Sequence, residues 1–320
     1  MKMVRTLGLV LETRADAEAY AAGHALDLER LYHYREPEEL AAITQALTAL
    51  GYAVELLGTP AQALATHDQW RARIDFIVNL SVGFVSRFRL ALGPALFELT
   101  GIPYWGADPC GKMVSQHKPL QKALMDKLGI PTPAWAYVDT PAALDAMPDL
   151  RWPRIVKPAY EGSSIAVPAG AKVKNEHELR ARAMLLLEQY RLPLIVEEFI
   201  AGREFKAGMI GDRGQRWQGL IEDVRADGSP LGDAFLAYGV KKEGVLGKAA
   251  RDASAPEYAA LMADCRRLYE LLMPLDYATF DLRVDDAGRH YILEGNADAT
   301  LHPARTLAQC CARNGLDYRG

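Results

Sequence analysis

TFDLRVDDAGRHYILEGN, residues 279–296, is the stretch on which the fold turns. Two runs of alternating apolar and polar residues flank Asp286-Ala287-Gly288-Arg289, a pattern that predicts two short strands joined by a turn. Phe280, Leu282 and Val284 share one face of the first strand, and Asp281, Arg283 and Asp285 share the other. In the second strand Glu294 and Asn296 lie on one face. Pairing that is symmetric about the turn puts Asp281 directly across from Glu294, about 5 Å away at Cβ, with Asn296 as diagonal neighbour. Two carboxylates and an amide oxygen then meet in one small volume. Unscreened carboxylates would repel there, so a bound cation is expected.

Working outward, residues 154–167 read RIVKPAYEGSSIAV. A strand over Arg154–Lys157 delivers Lys157 to its end, and Pro158 prevents continuation as helix or central strand. Glu161, Gly162, Ser163 and Ser164 form a small turn in which glycine lets backbone N–H groups approach an anion and two hydroxyls add donors. A lysine just before such a turn supplies a point charge for phosphate oxygens. Residues 194–211, LIVEEFIAGREFKAGMIG, place a buried strand before the pair Glu197-Glu198 and then Phe199-Ile200 and Glu204. Taken alone, the pair reads as exposed glutamates on an edge strand. An all-oxygen donor set beside a triphosphate favours Mg²⁺, and two ions bridging carboxylates and phosphates suit in-line transfer.

The strings KPxxEGSS at 157–164, V-E-x-x-I-x-G-x-E-F at 196–205 and D-x₁₂-E-x-N at 281–296 together resemble the D-alanine–D-alanine ligase family of the ATP-grasp superfamily. The resemblance covers roughly residues 100–303. It implies an ATP-dependent ligase that joins a carboxylate to an amine through an acyl phosphate, with ATP and Mg²⁺ as cofactors (Mn²⁺ able to substitute). It assigns the metal to Asp281, Glu294 and Asn296. The nucleotide falls to Lys118, Lys157, Glu161, Gly162, Ser163, Ser164, Glu197, Glu198, the backbone of Phe199 and Ile200, Glu204, and Lys241 on a loop spanning 226–249. Lys157, Ser164 and Arg283 are assigned to the reaction itself. Lys118 rests wholly on the resemblance of SQHKPLQKALMDKLGIPTP to the family's lysine-bearing helix, in which His117 replaces the usual Asp.

The fold so implied is α/β with α+β subdomains, the ATP-grasp fold. The expected division is an N-terminal parallel-sheet unit over 1–105, a central unit over 106–190 and a C-terminal unit with the metal site over 191–320. The first hundred residues agree, since strand signals at Thr6–Leu11, Tyr52–Leu57 and Asp75–Asn79 alternate with a helix over Glu38–Leu50, a βαβ pattern. Further on, helices are expected over Ser115–Leu128 and Pro256–Leu272.

The chain departs from the family where amino acids bind. Leu9-Val10-Leu11-Glu12-Thr13-Arg14 stands for a Gly-Gly-x-Ser-x-Glu stretch, NLSVGFVSRFRL replaces the His-Gly and Gly-Glu-Asp-Gly elements, and Ala166 replaces a glycine. Thr279 occupies the place of an arginine that stabilises the tetrahedral intermediate, for which Arg283, Arg305 and Lys241-Lys242 are substitutes. Arg283 serves equally well as a structural partner for a carboxylate. ATP chemistry with changed, amino-acid-like substrates of specialised metabolism is therefore the expectation. A genuine D-alanine–D-alanine ligase of cell-wall synthesis, a nucleotide-binding protein without ligase activity and an ATP-grasp kinase stay open.

The 320 residues carry a net charge of −4 with no basic stripe, which speaks against nucleic acid as a partner. No apolar run is long enough to span a membrane. Four cysteines without metal spacing fit a cytoplasmic setting. Small carboxylate and amine substrates are the expected partners, and relatives of this size imply a homodimer.

Overall fold

A computed structural model of the protein describes residues 5–24, 34–84, 86–160, 171–190, 193–234 and 246–318. Among these residues thirteen strands form three sheets. In the first, β1 (Thr6–Val10), β2 (Ala53–Gly58), β3 (Phe76–Asn79) and β4 (Tyr104–Trp105) run parallel in the order β2-β1-β3-β4. The near-continuous apolar strings of the two central strands, β1 and β3, follow from burial on both faces. Leu7, Leu9 and Val78 pack beside Ile43 of the helix Pro37–Ala49, whereas Val10 and Ile77 pack beside Trp70 and Phe97.

The second sheet comprises β5 (Trp135–Val138), β6 (Arg154–Pro158), β7 (Lys172–Val173) and β8 (Leu194–Glu198), antiparallel in the order β5-β8-β6-β7. The third comprises β9 (Arg203–Ile210), β10 (Trp217–Arg225), β11 (Leu246–Arg251), β12 (Tyr277–Val284) and β13 (His290–Asn296), antiparallel in the order β11-β10-β9-β12-β13. Each of these two sheets turns one face to a core. Val156, Val196, Ala136 and Val138 pack with Leu179 and Leu186 of the helix Glu176–Tyr190. Phe205, Ala207, Met209, Leu220, Phe280, Leu282 and Ile292 pack with Leu261, Cys265 and Leu268 of the helix Ala259–Leu271. Burying a side chain such as Phe280 contributes roughly 1.5–3 kcal/mol.

Two expectations are corrected. The single helix over Ser115–Leu128 is two, Pro109–Gln116 and Lys118–Leu128. Pro119 lacks an N–H and its ring excludes the carbonyl one turn earlier, so the helix cannot run through. His117 leaves helical geometry (ψ 83°), and its Nδ1 accepts from the Leu120 N–H at 3.1 Å as the cap of the second helix. The loop placed at 226–249 is shorter at both ends. Arg225 N–H donates to the Ser229 carbonyl in a tight turn, and 246–251 form the edge strand β11 against Leu220–Arg225. No helix among the described residues is long and apolar enough to cross a membrane.

Candidate active site

The faces of the second and third sheets that turn away from their cores carry the charged residues. On the third sheet register alone sets three rows. Lys248, Asp223, Glu204 and Arg283 are successive cross-strand partners in the first row, Lys206, Asp281 and Glu294 in the second, and Gly208, Thr279 and Asn296 in the third. Asp281 thus lies opposite Glu294, as the symmetric hairpin predicts. The symmetry stops there. A register shift between Asp281 and Leu282 sets Leu282 against Ile292, so Leu293 is an extra residue that opposes none, a β-bulge beside the carboxylate pair.

The side chains in these rows are cross-linked. Lys206 Nζ lies 3.0 Å from Asp281 Oδ1, 3.1 Å from Glu204 Oε1 and 4.0 Å from Asp223 Oδ2. Arg283 donates from Nε and Nη2 to Glu204 Oε2 at 3.2 and 3.1 Å, and its other N–H groups reach the carbonyls of Ile200 (2.6 Å) and Ala234 (2.7 Å). Arg283 therefore shares the Asp281 face but is turned to Glu204 and to backbone, which is the carboxylate-partner arrangement.

From the second sheet, Lys157 and Glu197 project on the face opposite Val156 and Val196. Lys157 Nζ lies 2.6 Å from Glu197 Oε2, and Lys122 Nζ lies 2.8 Å from Glu197 Oε1 and donates to Thr132 Oγ1 at 2.6 Å. Lys118 opens its helix with a backbone bond to the Ala159 carbonyl, and its Nζ lies 3.4 Å from Glu294 Oε2. The helix is thereby tied to the end of β6 and its charge to the carboxylate pair.

Strand β13 is held in place between Glu294 and Asn296 by a side chain that mimics a neighbouring strand. Gln121 donates from Nε2 to the Gly295 carbonyl at 2.9 Å and accepts from the Gly295 N–H at 2.8 Å. Ser115 Oγ adds a bond from the Ala297 N–H at 2.9 Å.

The electrostatics follow from this sharing. Burial alone would raise the Glu197 pKa, but Lys122 and Lys157 outweigh it and bring it to about 2. Burial likewise opposes ionisation of Glu294, and Lys118, Lys157 and Lys206 bring it to about 2. Burial disfavours charge on Lys157, yet Glu197 and Glu294 outweigh it and its pKa is raised. Lys122, fully buried and sharing one carboxylate with a second ammonium, is lowered.

Glu198 points the other way. It alternates to the opposite face of β8 and accepts from Arg151 N–H, Nε and Nη2 at 2.9, 2.9 and 2.6 Å, so its side chain does not join the nucleotide residues as expected. The Phe199 ring is flanked by Lys172 Nζ at 3.8 Å and Arg283 Cζ at 4.6 Å. The Ile200 carbonyl is taken by Arg283. Glu161, Gly162, Ser163, Ser164, Lys241 and Lys242 lie outside the described residues. Sequence reading missed Lys206, whose place two residues after Glu204 puts it on the same strand face, and Gln121, one helical turn after Lys118.

Among the described residues no three His, Cys, Asp or Glu side chains form a closed metal cage. Asp281, Glu294 and Asn296 instead offer an open, all-oxygen set, which fits Mg²⁺, an ion usually held by one or two carboxylates with phosphates and water completing its shell.

Two α+β sheets with lysines and carboxylates facing each other, preceded by a small parallel sheet, make this an ATP-grasp protein. A family model described as D-ala D-ala ligase C-terminus matches residues 124–320. The chain is 30% identical over 281 residues to the D-alanine–D-alanine ligase of Nitratidesulfovibrio vulgaris, covering 86% of this chain and 87% of that one. It is 28% identical over 249 residues to the uncharacterized protein y4sG of Sinorhizobium fredii, covering 74% of this chain and 69% of that one. The crystal structure of D-alanine–D-alanine ligase from Bacillus anthracis complexed with ATP superposes with a TM-score of 0.70 over 99% of this chain and 94% of that one, at 17% identity, a likeness of fold. The protein belongs to the D-alanine–D-alanine ligase family.

Proposed function

We propose that the protein is an ATP- and Mg²⁺-dependent carboxylate–amine ligase acting on small amino-acid-like substrates other than a pair of D-alanines, with the chain divided near residues 105 and 190. The observation that carries the ATP reading is the convergence of Lys157 on Glu197 and of Lys118 on Glu294, beside the Asp281–Glu294 pair. Fixed ammoniums next to an open carboxylate pair suit a polyphosphate and its cation.

In this reading a substrate carboxylate oxygen attacks the γ-phosphorus and ADP leaves. The amine of the second substrate then attacks the acyl carbon, phosphate departs and the ammonium proton is lost. Lys118 and Lys157 offset the charge on the transferred phosphoryl group, and Glu204, braced by Arg283, orients the ribose. When bound at Asp281, Glu294 and Asn296, Mg²⁺ supplies screening of phosphate charge. Arg283 acts through Glu204 and is a positioning residue.

The change of substrate is supported by the altered strings at 9–14 and 79–90, which lie at the carboxyl end of the first sheet, where ligands of parallel sheets bind. Glu12 accepts from the Val82 N–H at 2.7 Å, and Arg35 Nε donates to the Leu80 carbonyl at 2.8 Å. Glu39 accepts from Thr300 Oγ1 and the Leu301 N–H at 2.7 and 2.8 Å, tying in the loop after β13. Nearby Lys112 is lowered to about 8, chiefly by burial, in the field of Asp298, Arg35 and Glu12. A wall this rich in charge suits substrates that carry ammonium and carboxylate groups, as amino acids do.

The test is ADP release with Mg-ATP against a panel of amino acids and small carboxylates, D-alanine first, with products identified by mass spectrometry. A joined pair other than D-alanine with itself is expected. D-alanyl-D-alanine as the sole product would make the protein a cell-wall ligase, and ATP binding without stimulated turnover would remove the ligase reading.

A further inference from the structure

We propose that Lys112 and Tyr277 form an anion subsite that holds the non-reacting carboxylate of the amine-bearing substrate. This rests on the ligase reading and names the group by which that substrate is recognised.

The helix Pro109–Gln116 is pinned across one end of the β12–β13 hairpin. At its start the Asp108 N–H donates to the Pro274 carbonyl, and a Cβ on Gly111 would lie 2.4 Å from the Leu272 carbonyl oxygen, so the backbones pack directly. At its other end Ser115 Oγ accepts from the Ala297 N–H and donates to the Gly295 carbonyl. Lys112 lies between these two fastenings, one turn before Ser115. It therefore faces the end of the hairpin where β12 begins at Tyr277 and where the chain leaves β13 for Asp298.

Two donors are left without partners there. Lys112 is 1% exposed, yet its ammonium makes no hydrogen bond or ion pair among the described residues; Asp298, Arg35 and Glu12 are its charged surroundings. The Tyr277 hydroxyl is fully buried and also has no partner among the described residues, while its ring packs beside Trp105 at 4.7 Å. Arg35 and Asp298 act on this hydroxyl too, so the same two charges flank both donors. Two neighbouring carboxylates are already engaged, Glu12 by the Val82 N–H and Glu39 by Thr300 and the Leu301 N–H. A buried ammonium and a buried hydroxyl without partners each cost stability. What satisfies both is an acceptor of negative charge, and a carboxylate offers two oxygens for two donors.

Position separates this carboxylate from the reacting one. Tyr277 and Asp281 lie on the same face of β12, four residues or about 13 Å apart along the strand. A carboxylate held at Tyr277 is therefore not the one phosphorylated beside Asp281 and Glu294, which leaves it to anchor the other substrate. Lys112 and Tyr277 also lie outside the three strings that carry the family resemblance.

The test titrates the protein, without nucleotide, with glycine and with glycinamide by microcalorimetry; a neutral amide replaces the carboxylate in the second probe. The wild type is expected to bind glycine at least about tenfold more tightly than glycinamide, the worth of one charge-assisted hydrogen bond. Lys112→Met and Tyr277→Phe are each expected to lose most of that preference and to leave glycinamide binding unchanged. Lys112→Met is also expected to be at least as stable in urea as the wild type, because an apolar chain of similar length replaces a buried ammonium without a partner. A lysine with a merely structural role would show the reverse. No preference for glycine in the wild type would overturn the inference without recourse to any variant, and a preference kept in either folded variant would overturn it as well. Because no ATP enters the titration, intact glycine selectivity without substrate-stimulated ADP release would sink the ligase reading and leave the anion subsite standing.

Discussion

Arg283 holds Glu204 through two contacts to one carboxylate oxygen, at 3.2 and 3.1 Å, while spending its remaining N–H groups on the carbonyls of Ile200 and Ala234. A guanidinium so engaged fixes the Glu204 carboxylate and the Ala234 carbonyl; it is not free to follow a developing oxyanion. Arg283→Lys keeps the charge and loses the fork. The expected result is an ATP KM raised about tenfold, equivalent to roughly 1.4 kcal/mol, with kcat little changed. Steady-state kinetics over a range of ATP, with a nucleotide titration alongside, checks this. A fall in kcat at unchanged ATP affinity would return Arg283 to the oxyanion.

Glu197 carries a linked stability and pH prediction. Its pKa is about 2 in the folded protein against an ordinary 4.5, because Lys122 and Lys157 outweigh burial. A depressed carboxylate stabilises the fold above its unfolded pKa, and this stabilisation is lost as pH falls from about 4.5 towards 2. The shift corresponds to about 3 kcal/mol. Glu197→Gln should flatten the acid limb of stability in that window. At neutral pH it should cost about 3–5 kcal/mol, since two buried ammoniums lose their shared partner. Urea unfolding at stepped pH measures both. An unchanged acid limb would show that Glu197 is not ionised by its lysines.

How far the sequence could be read differs between links of the argument. Alternation along 279–296 sufficed to pair Asp281 with Glu294, since strand period and turn position together fix register. The bulge at Leu293 was not legible, because an extra residue leaves the alternation on either side intact. The break at His117 was legible in principle from Pro119, through which the helix expected over Ser115–Leu128 runs. Lys206 carries no signal of its own in the sequence. Its role depends on Asp281 and Asp223 from two other strands, and a single sequence does not show which strands will be neighbours. The direction of Glu198 was available from alternation with Glu197, but the motif drew both glutamates to one role.

The carboxylate pair predicts a metal effect separable from nucleotide affinity. Glu294→Gln keeps shape and an oxygen but removes the charge opposite Asp281. Mn²⁺ affinity in the presence of a non-hydrolysable ATP analogue should fall at least about tenfold. Lys118, 3.4 Å from Glu294, would be released toward phosphate, so nucleotide affinity without metal should hold or rise. Equal Mn²⁺ affinity in variant and wild type would exclude Glu294 as a ligand.

Gln121 offers the sharpest separation of positioning from stability. It is 1% exposed, and its amide satisfies both the N–H and the carbonyl of Gly295, the residue between two proposed metal ligands. Gln121→Leu preserves volume but leaves the buried Gly295 N–H without a partner, at a cost of about 1–3 kcal/mol, and leaves the Gly295 carbonyl with the Ser115 hydroxyl at 3.2 Å. Stability should therefore fall, and because β13 loses the brace that aims Glu294 and Asn296, Mn²⁺ affinity should fall with it. Gln121→Glu retains the acceptor for the Gly295 N–H while losing the donor to its carbonyl, so it should recover part of both. Urea unfolding and Mn²⁺ titration on the same preparations make the comparison. A loss of stability with Mn²⁺ affinity untouched would show that Gln121 supports the sheet without directing the metal residues, since a misaimed carboxylate cannot bind a small hard cation as tightly as an aligned one.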